Sequence, residues 1–470
     1  MTLRRLFKSR EEFDLTSGDV GRPLFYLSLP IVVTNLLQTA YNLADTFWIG
    51  QYSTGALAAI SFAFPMVFLI ISLGMGLAVA GSILVAQFTG ADETREAEYA
   101  ASQTVGFAAI ASVVVGAVAY VFVGDVLALL GAAPDVLPLA TAYMEIISLG
   151  IFFMFGFFVF ISLMRGYGDT ITPMLVMLGS VLLNIALDPL LIFGWGPFPQ
   201  WGIEGAAIAT VFSRGLALVV GLWIMLSGRR GVRIRPADVV PDLGYGRKLL
   251  RIGVPASVEG TGQAVAINLL MFIVGTFSTP VVAAFGIGVR VFSVIFLPAI
   301  AVARGVETMA GQNIGAGKPD RAALASRVAA RTTFVVLAAA GVVTWLLADP
   351  IVGLFTDDAT VVDIGATFLR YVAPSFGFIG IMRSYNGGFR GAGRTLTAAA
   401  IAVTMLGAIR LPIAWFASRV MGPPGIWVAF LISNVVGAVI AYAWYRRGTW
   451  RSGDASGPHV PAVTDDPADD

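Results

Sequence analysis

An all-α polytopic membrane protein, twelve transmembrane helices in two parallel six-helix repeats, is what composition, the spacing of apolar runs and internal self-similarity predict. Of 470 residues, 57% are hydrophobic and 13% charged, with mean hydropathy +0.82. Soluble domains average roughly 45–50% apolar and about 25% charged residues. The apolar runs recur along the whole chain, which excludes a soluble domain with a single anchor. Shifted by 225 residues, the sequence matches itself: Pro30 falls on Pro255, Gln38 on Gln263, "VAQFTGADETREA" (85–97) on "AGQNIGAGKPDRA" (310–322), and "RGYGDTIT" (165–172) on "RGAGRTLT" (390–397). Near the end the shift becomes 223, pairing Pro189 with Pro412 and Gly202 with Gly425.

Residues 1–23 carry charges where the apolar region of a signal peptide would sit, so they read as a cytoplasmic segment. A helical span needs about 20 apolar residues. The first lobe, 24–227, supplies six: 24–49, 56–86, 100–123, 137–163, 172–194 and 203–227. A basic cytoplasmic linker, 228–251, joins it to a second lobe, 252–446, with spans 252–276, 282–310, 331–347, 362–388, 396–417 and 425–445. Residues 447–470 read as a disordered cytoplasmic tail. One set of loops collects Arg4, Arg5, Lys8, Arg10, Arg22, Arg95, Arg165, the run Arg229 to Arg251, Lys318, Arg321, Arg327, Arg331, Arg390, Arg394, Arg446, Arg447 and Arg451. The opposite set holds Asp125, Asp135, Asp349, Asp357 and Asp358, with Arg419 almost its only base. Excess Lys and Arg mark cytoplasmic loops, so both termini are expected in the cytoplasm of a multi-pass cell-membrane protein. Six spans per copy is an even number, so the repeats are parallel about an axis along the membrane normal, a common transporter plan.

Several chemistries are excluded. Net charge is +1, which gives no electrostatic case for nucleic acid. There is no Cys, and the single His, His459, lies in the polar tail, so a buried thiolate or imidazole site is not available. No GxxxxGK[ST] nucleotide loop occurs. No cofactor is expected beyond a coupling ion, and a lipid-embedded monomer is the expected form.

Polar groups inside the spans point to function. A carboxylate at the bilayer centre costs about 2.5–3.5 kcal/mol on insertion scales, so Asp45 and Asp188 require a reason. Both lie roughly 10 Å inside the outer ends of their helices, at 1.5 Å per residue. Tyr143 and Thr210 reach the same depth on two further helices. Gln38, Asn42 and Asp45 share one face, and Asn184 sits one turn from Asp188. Such an oxygen-rich cluster suits a hard cation such as Na⁺, and two close carboxylates equally suit H⁺. A structural reading is also open, because Asp188 can cap the break made by Pro189. The repeat favours function: Asp45 aligns with Leu270, Asp188 with Leu411, Asn42 with Ile267 and Tyr143 with Phe368. The second copy keeps the fold without the acids. Glu259 stands in the first turns of the seventh span, where an acid is favoured by the helix itself. Arg304 and Glu307 form an i, i+3 pair, while Arg290 and Arg410 either line the cavity or pair with carbonyls. The aromatic run "IFFMFGFFVFISLM" (151–164) reads as lipid-facing packing.

The sequence resembles the multidrug and toxic compound extrusion (MATE) family, its DinF-like branch above all. The resemblance is carried by "QTAYNLADTFWIG", "RGYGDTITPM", "NIALDPLLIFGWG", "GIEGAAIAT" and "AGQNIGAGKPDRA", in order, across residues 14 to 445. It implies a two-lobed fold and efflux of organic cations or amphipathic xenobiotics in exchange for Na⁺ or H⁺ by alternating access. Carried onto this chain, it implies a cation site at Asp45, Asn184, Asp188 and Thr210, with Gln38, Tyr41 and Tyr143 around it, and a cargo competing for the same charge. Two alternatives stay open. A lipid-linked oligosaccharide flippase of the same superfamily would line its cavity with bases rather than two acids. A membrane enzyme would need nucleophile and base clusters that this composition makes hard to supply.

Overall fold

The computed structural model describes residues 7, 8 and 12–451; Arg4, Arg5, Arg10, His459 and the tail from 452 onward lie outside the described residues. Among the described residues there is no strand, and twelve helices are long and apolar enough to cross a membrane. They are α1 Gly21–Tyr52, α2 Thr54–Gly90, α3 Thr94–Leu129, α4 Leu137–Tyr167, α5 Ile171–Phe193, α6 Ile203–Ser227, α7 Leu243–Val274, α8 Thr279–Gly315, α9 Pro319–Leu346, α10 Ala359–Gly391, α11 Thr395–Met421 and α12 Pro424–Arg446. Several run beyond the expected apolar spans, because a helix ends where its caps lie and not where its hydropathy falls. Ser53 caps α2 by accepting the Ala56 N–H. Gly168, Gly194 and Gly228 take the left-handed conformation just past α4, α5 and α6, a conformation open to glycine at little cost. The linker expected over 228–251 is already helical from Leu243, where Asp242 accepts the Gly244 N–H at 2.7 Å.

Each lobe has its own apolar core. Phe157, Phe160, Leu163 and Met164 of α4 lie at the centre of the first, so the aromatic run expected against lipid is largely buried within the lobe. Phe285, Phe368 and Trp427 pack at the centre of the second.

The first helix of each repeat leans on the opposite lobe. Leu24 and Leu27 of α1 pack with Val306 and Met309 of α8 and Ala325 of α9, while Tyr245, Leu249 and Ile252 of α7 join the first lobe's core. Pro30 and Pro255, paired by the repeat, stand inside these two helices. The segments leading into them are tied down the same way. Arg321 donates to the carbonyls of Leu15, Ser17, Gly18 and Asp19, and Asn313 to that of Leu15. Gln103 donates to the carbonyls of Asp238 and Val240, with Arg95 paired to Asp238 and Arg235 to Glu98. The N–H groups of Arg22, Gly21 and Val20 hold the Asp19 carboxyl, at the head of α1, below the usual carboxylate range.

Among the described residues, the hydrogen bonds between the lobes lie on the side of the basic loops and in the middle of the bundle. Gln87 donates to the Gly391 carbonyl at 2.9 Å, and its repeat partner Gln312 donates to the Gly166 and Tyr167 carbonyls at 3.1 and 3.0 Å. The pair Ser72–Thr261 (3.2 Å) marks the last interlobe hydrogen bond toward the acidic loops among the described residues. Gly90 and Gly315 make this closure possible. A methyl group on Gly90 would overlap the Gln312 carbonyl, and one on Gly315 the Gln87 carbonyl. Both obstacles are backbone, so no rotamer relieves them, and overpacking of this kind costs about 1–3 kcal/mol. Gly90→Ala is therefore expected to open the basic-loop end of the seam. Because the chain has no Cys, spin labels at introduced cysteines replacing Ala91 and Ala316 report that opening as a longer distance; an unchanged distance would refute it.

Candidate cation site in the first lobe

Four helices deliver the expected site, and each does so at i, i+4 spacing or by a single buried group. On α1, Tyr41 and Asp45 are one turn apart; on α5, Asn184 and Asp188; on α6, Thr210 lies a turn before Arg214. Tyr143 of α4 is buried beside both carboxyls. Asp45 is 6% exposed and Asp188 and Asn184 are 0% exposed. The Asn184 amide donates to Asp188 Oδ1 at 3.2 Å, and the Tyr41 hydroxyl donates to Thr210 Oγ1 at 2.6 Å. Asp45 lies close beside Asp188, Asn184 and Thr210.

Three oxygens in this cluster are buried without a donor: Asp45 Oδ1, Asn184 Oδ1 and Asp188 Oδ2. Buried acceptors are normally satisfied. Two carboxyl groups in contact away from water repel unless a proton or a cation sits between them. Among the described residues no three His, Cys, Asp or Glu side chains gather as a metal centre would. The donors are two carboxyls, an amide and a hydroxyl, a hard, all-oxygen set suited to a monovalent ion.

Of the surrounding residues named from sequence, Gln38 and Asn42 form a second step on α1. Gln38 donates to Asn42 Oδ1 at 3.1 Å and accepts from the Arg214 guanidinium at 2.9 Å. Arg214 was missed by the sequence reading. It is 4% exposed and stacks over Tyr41 and Phe157, so it places a fixed positive charge a turn away from the acid pair. A charge in an apolar helix, four residues after Thr210, was the available signal.

The MatE family model matches residues 30–190 and again 255–416, once in each repeat. The chain belongs to the MatE family. A FAD transporter of Shewanella oneidensis is 29% identical over 93% of this chain and 97% of its own. A probable multidrug resistance protein of Bacillus subtilis, YpnP, is 28% identical over 94% and 98%. The MATE transporter VcmN of Vibrio cholerae, solved in its bent form, superposes with TM-score 0.86 over 92% of this chain and 98% of its own at 24% identity, a likeness of fold. This MatE chain is thus a multi-pass membrane transporter of the multidrug efflux family and not a membrane enzyme.

The second lobe of this MatE protein carries charge of the opposite sign. Arg165 and Arg390, expected in loops, are corrected by the structure: α4 and α10 continue past their apolar spans and both residues sit in a last helical turn. Arg390 is 5% exposed; it bonds Glu259 Oε1 and Glu307 Oε2, each at 2.9 Å. Arg304 pairs with Glu307 at 2.9 Å as expected. Glu259 is therefore one arm of an ion network and not a lone helix-end acid. Arg370, near the acidic-loop end, pairs with Asp349. Arg290 is exposed and joins neither the network nor a cavity described below. Arg410 is buried and does line a cavity, where it donates to Ser433 at 2.9 Å and Asn434 at 2.6 Å.

Proposed function

We propose that this chain exports an amphipathic small molecule across the cell membrane in exchange for Na⁺ or H⁺, with both termini cytoplasmic. The observation that carries the coupling reading is the buried contact of Asp45 with Asp188, together with the three oxygens there that lack a donor. A cation entering this cluster neutralises the pair and satisfies those oxygens. With the basic loops inside, the lobes are closed toward the cytoplasm and parted toward the exterior, which is the state that takes up the ion and releases cargo.

The reverse stroke requires the Gln87 and Gln312 contacts to break and the upper seam to close, with α1 and α7 moving between lobes about Pro30 and Pro255. The acid pair is enclosed within the first lobe, so a bulky cargo does not share its space. Coupling then runs through α1, which bears Asp45 at one level and Asn35 and Gln38 at the cavity wall lower down.

The arginines near the seam favour one further reading, a lipid-linked oligosaccharide flippase, whose anionic cargo would meet them. Cells lacking the protein would then show envelope defects in place of drug sensitivity. The coupling proposal is tested in reconstituted vesicles under separately imposed Na⁺ and H⁺ gradients. One gradient alone is expected to drive efflux of a fluorescent cargo, ethidium or flavin mononucleotide. Equal efflux of both with no gradient at all would remove the antiport reading.

A further inference from the structure

The second lobe contains a cavity of about 270 Å³ inside its helix bundle. It adjoins a seam cavity of about 340 Å³, with which it shares the lining residues Gln263, Ile267, Ile300 and Arg383. Its walls are aromatic, with Phe285, Phe292 and Phe430 among them. Apolar walls with a few converging polar groups describe a small-molecule site. The unusual feature is its charge. Arg383 and Arg410 both line this cavity, and Arg410 lies in the electrostatic field of Arg383.

Neither has a carboxylate partner. Arg410 bonds only neutral groups, Ser433, Asn434 and the Met405 sulfur, and stacks on Phe430 with its guanidinium 4.2 Å from the ring centroid. Arg383 makes no hydrogen bond or ion pair among the described residues, and the acid in its field, Glu259, is engaged by Arg390. Arg410 is buried without a counter-charge and Arg383, partly buried, adds a second positive charge to the same cavity; an anion beside them offsets that cost.

The repeat sharpens the point. Under the 223-residue shift Thr210 pairs with Ser433, and Asp188 with Leu411. The hydroxyl level that serves two carboxylates in the first lobe thus serves Arg410 in the second. The helix itself is altered there: residues Thr404–Arg410 of α11 form a π-helical stretch, whereas α5 is α-helical throughout. Such widened turns commonly mark functional positions, since they re-aim a side chain.

We infer that the second lobe holds an anion site, with Arg383 and Arg410 binding the carboxylate or phosphate of a planar aromatic cargo whose ring stacks among Phe285, Phe292 and Phe430. This names the cargo class of the proposed exporter and rests on that reading only for the direction of transport. The lobes then divide the work by sign: the first takes the coupling cation, the second the organic anion. A long acyl chain is disfavoured, because the aromatic pocket lies inside the bundle.

The test uses riboflavin and flavin mononucleotide, fluorescent probes with one ring and differing by a phosphate. Binding is measured by fluorescence quenching on the purified full chain in neutral detergent without any gradient, so a failure of coupling leaves it untouched. The wild type is expected to prefer flavin mononucleotide by about tenfold or more, the scale of a charge-assisted hydrogen bond. Arg383→Gln is expected to abolish that preference while riboflavin affinity stays constant. Arg383 has no bond to lose, so this variant should fold, and a melting curve checks it. Equal affinity of the wild type for both flavins overturns the proposal. So does displacement of flavin mononucleotide by dodecyl phosphate but not by phenyl phosphate, which would make the occupant a lipid.

Discussion

Vesicles bearing Asp45→Asn are expected to lose gradient-driven efflux down to the rate of protein-free vesicles. The substitution keeps the shape of the side chain and removes one of the two carboxyls. Asp188 keeps its hydrogen bond from Asn184, and the pair that would hold a cation becomes a single acid. A cation held between the two carboxyls would lose one charged ligand, an interaction of about 1.5–3 kcal/mol, equivalent to roughly 10- to 100-fold in cation affinity. Asp188→Asn should fall equally far, and the double variant no further, because two halves of one site are not additive. Efflux is read with ethidium and flavin mononucleotide in parallel, so that a wrong cargo is not mistaken for a broken coupling site. Wild-type rates in Asp45→Asn under either gradient would make the residue structural and end the coupling proposal. The folded state itself should persist, since Asn at this position can donate to the oxygens that now lack a donor.

That site was legible in the sequence because carboxylates in apolar helices are expensive and therefore conspicuous. Depth placed Asp45, Tyr143, Asp188 and Thr210 at one level, helical spacing put Asn184 a turn from Asp188, and the structure brings these residues together. The twelve spans and the repeat were legible for the same kind of reason: hydropathy and self-similarity are local properties that survive without coordinates. What escaped was pairing across distance. Arg390 reaches Glu259 across 131 positions, and Arg214 reaches Gln38 across 176. No spacing rule links such residues. Arg165 and Arg390 were assigned to loops because the apolar windows end before them, although the helices do not. The glycines of the self-matching motif were visible as a pair, but only packing shows that each lets one helix meet the other's backbone. Arg383 was visible in its span too. Its meaning depends on having no partner, which a sequence cannot display.

Glu307→Gln is expected to be the most destabilising single change in the chain, with a cost of about 3–5 kcal/mol. Its side chain is 1% exposed and bonds both Arg304 and Arg390, with the Arg165 guanidinium also in its field. Taking away this carboxylate leaves several guanidiniums converging on a neutral amide. Glu259→Gln is expected to cost much less. Its carboxylate borders the seam cavity, and after its loss Arg390 still has Glu307. The order of the two melting temperatures, followed by intrinsic fluorescence in detergent, therefore separates a buried network from a mere tally of charges. If Glu259→Gln melted lower than Glu307→Gln, the network would be organised about the cavity and not about the helix core. A double variant, Glu307→Gln with Arg304→Met, should recover part of the loss, since it removes the guanidinium that Glu307 neutralised, whereas Arg390 keeps Glu259. The position of Glu307 explains why so much charge is concentrated there. It lies two turns before the Gly315 closure on α8 and bonds α10 next to Gly391, the residue that receives Gln87 from the first lobe. The network fixes α8 and α10 as one block, so the first lobe meets a rigid surface at the seam. A lobe that rocks needs such a surface, because movement at Asp45 is transmitted only if the opposing half does not deform.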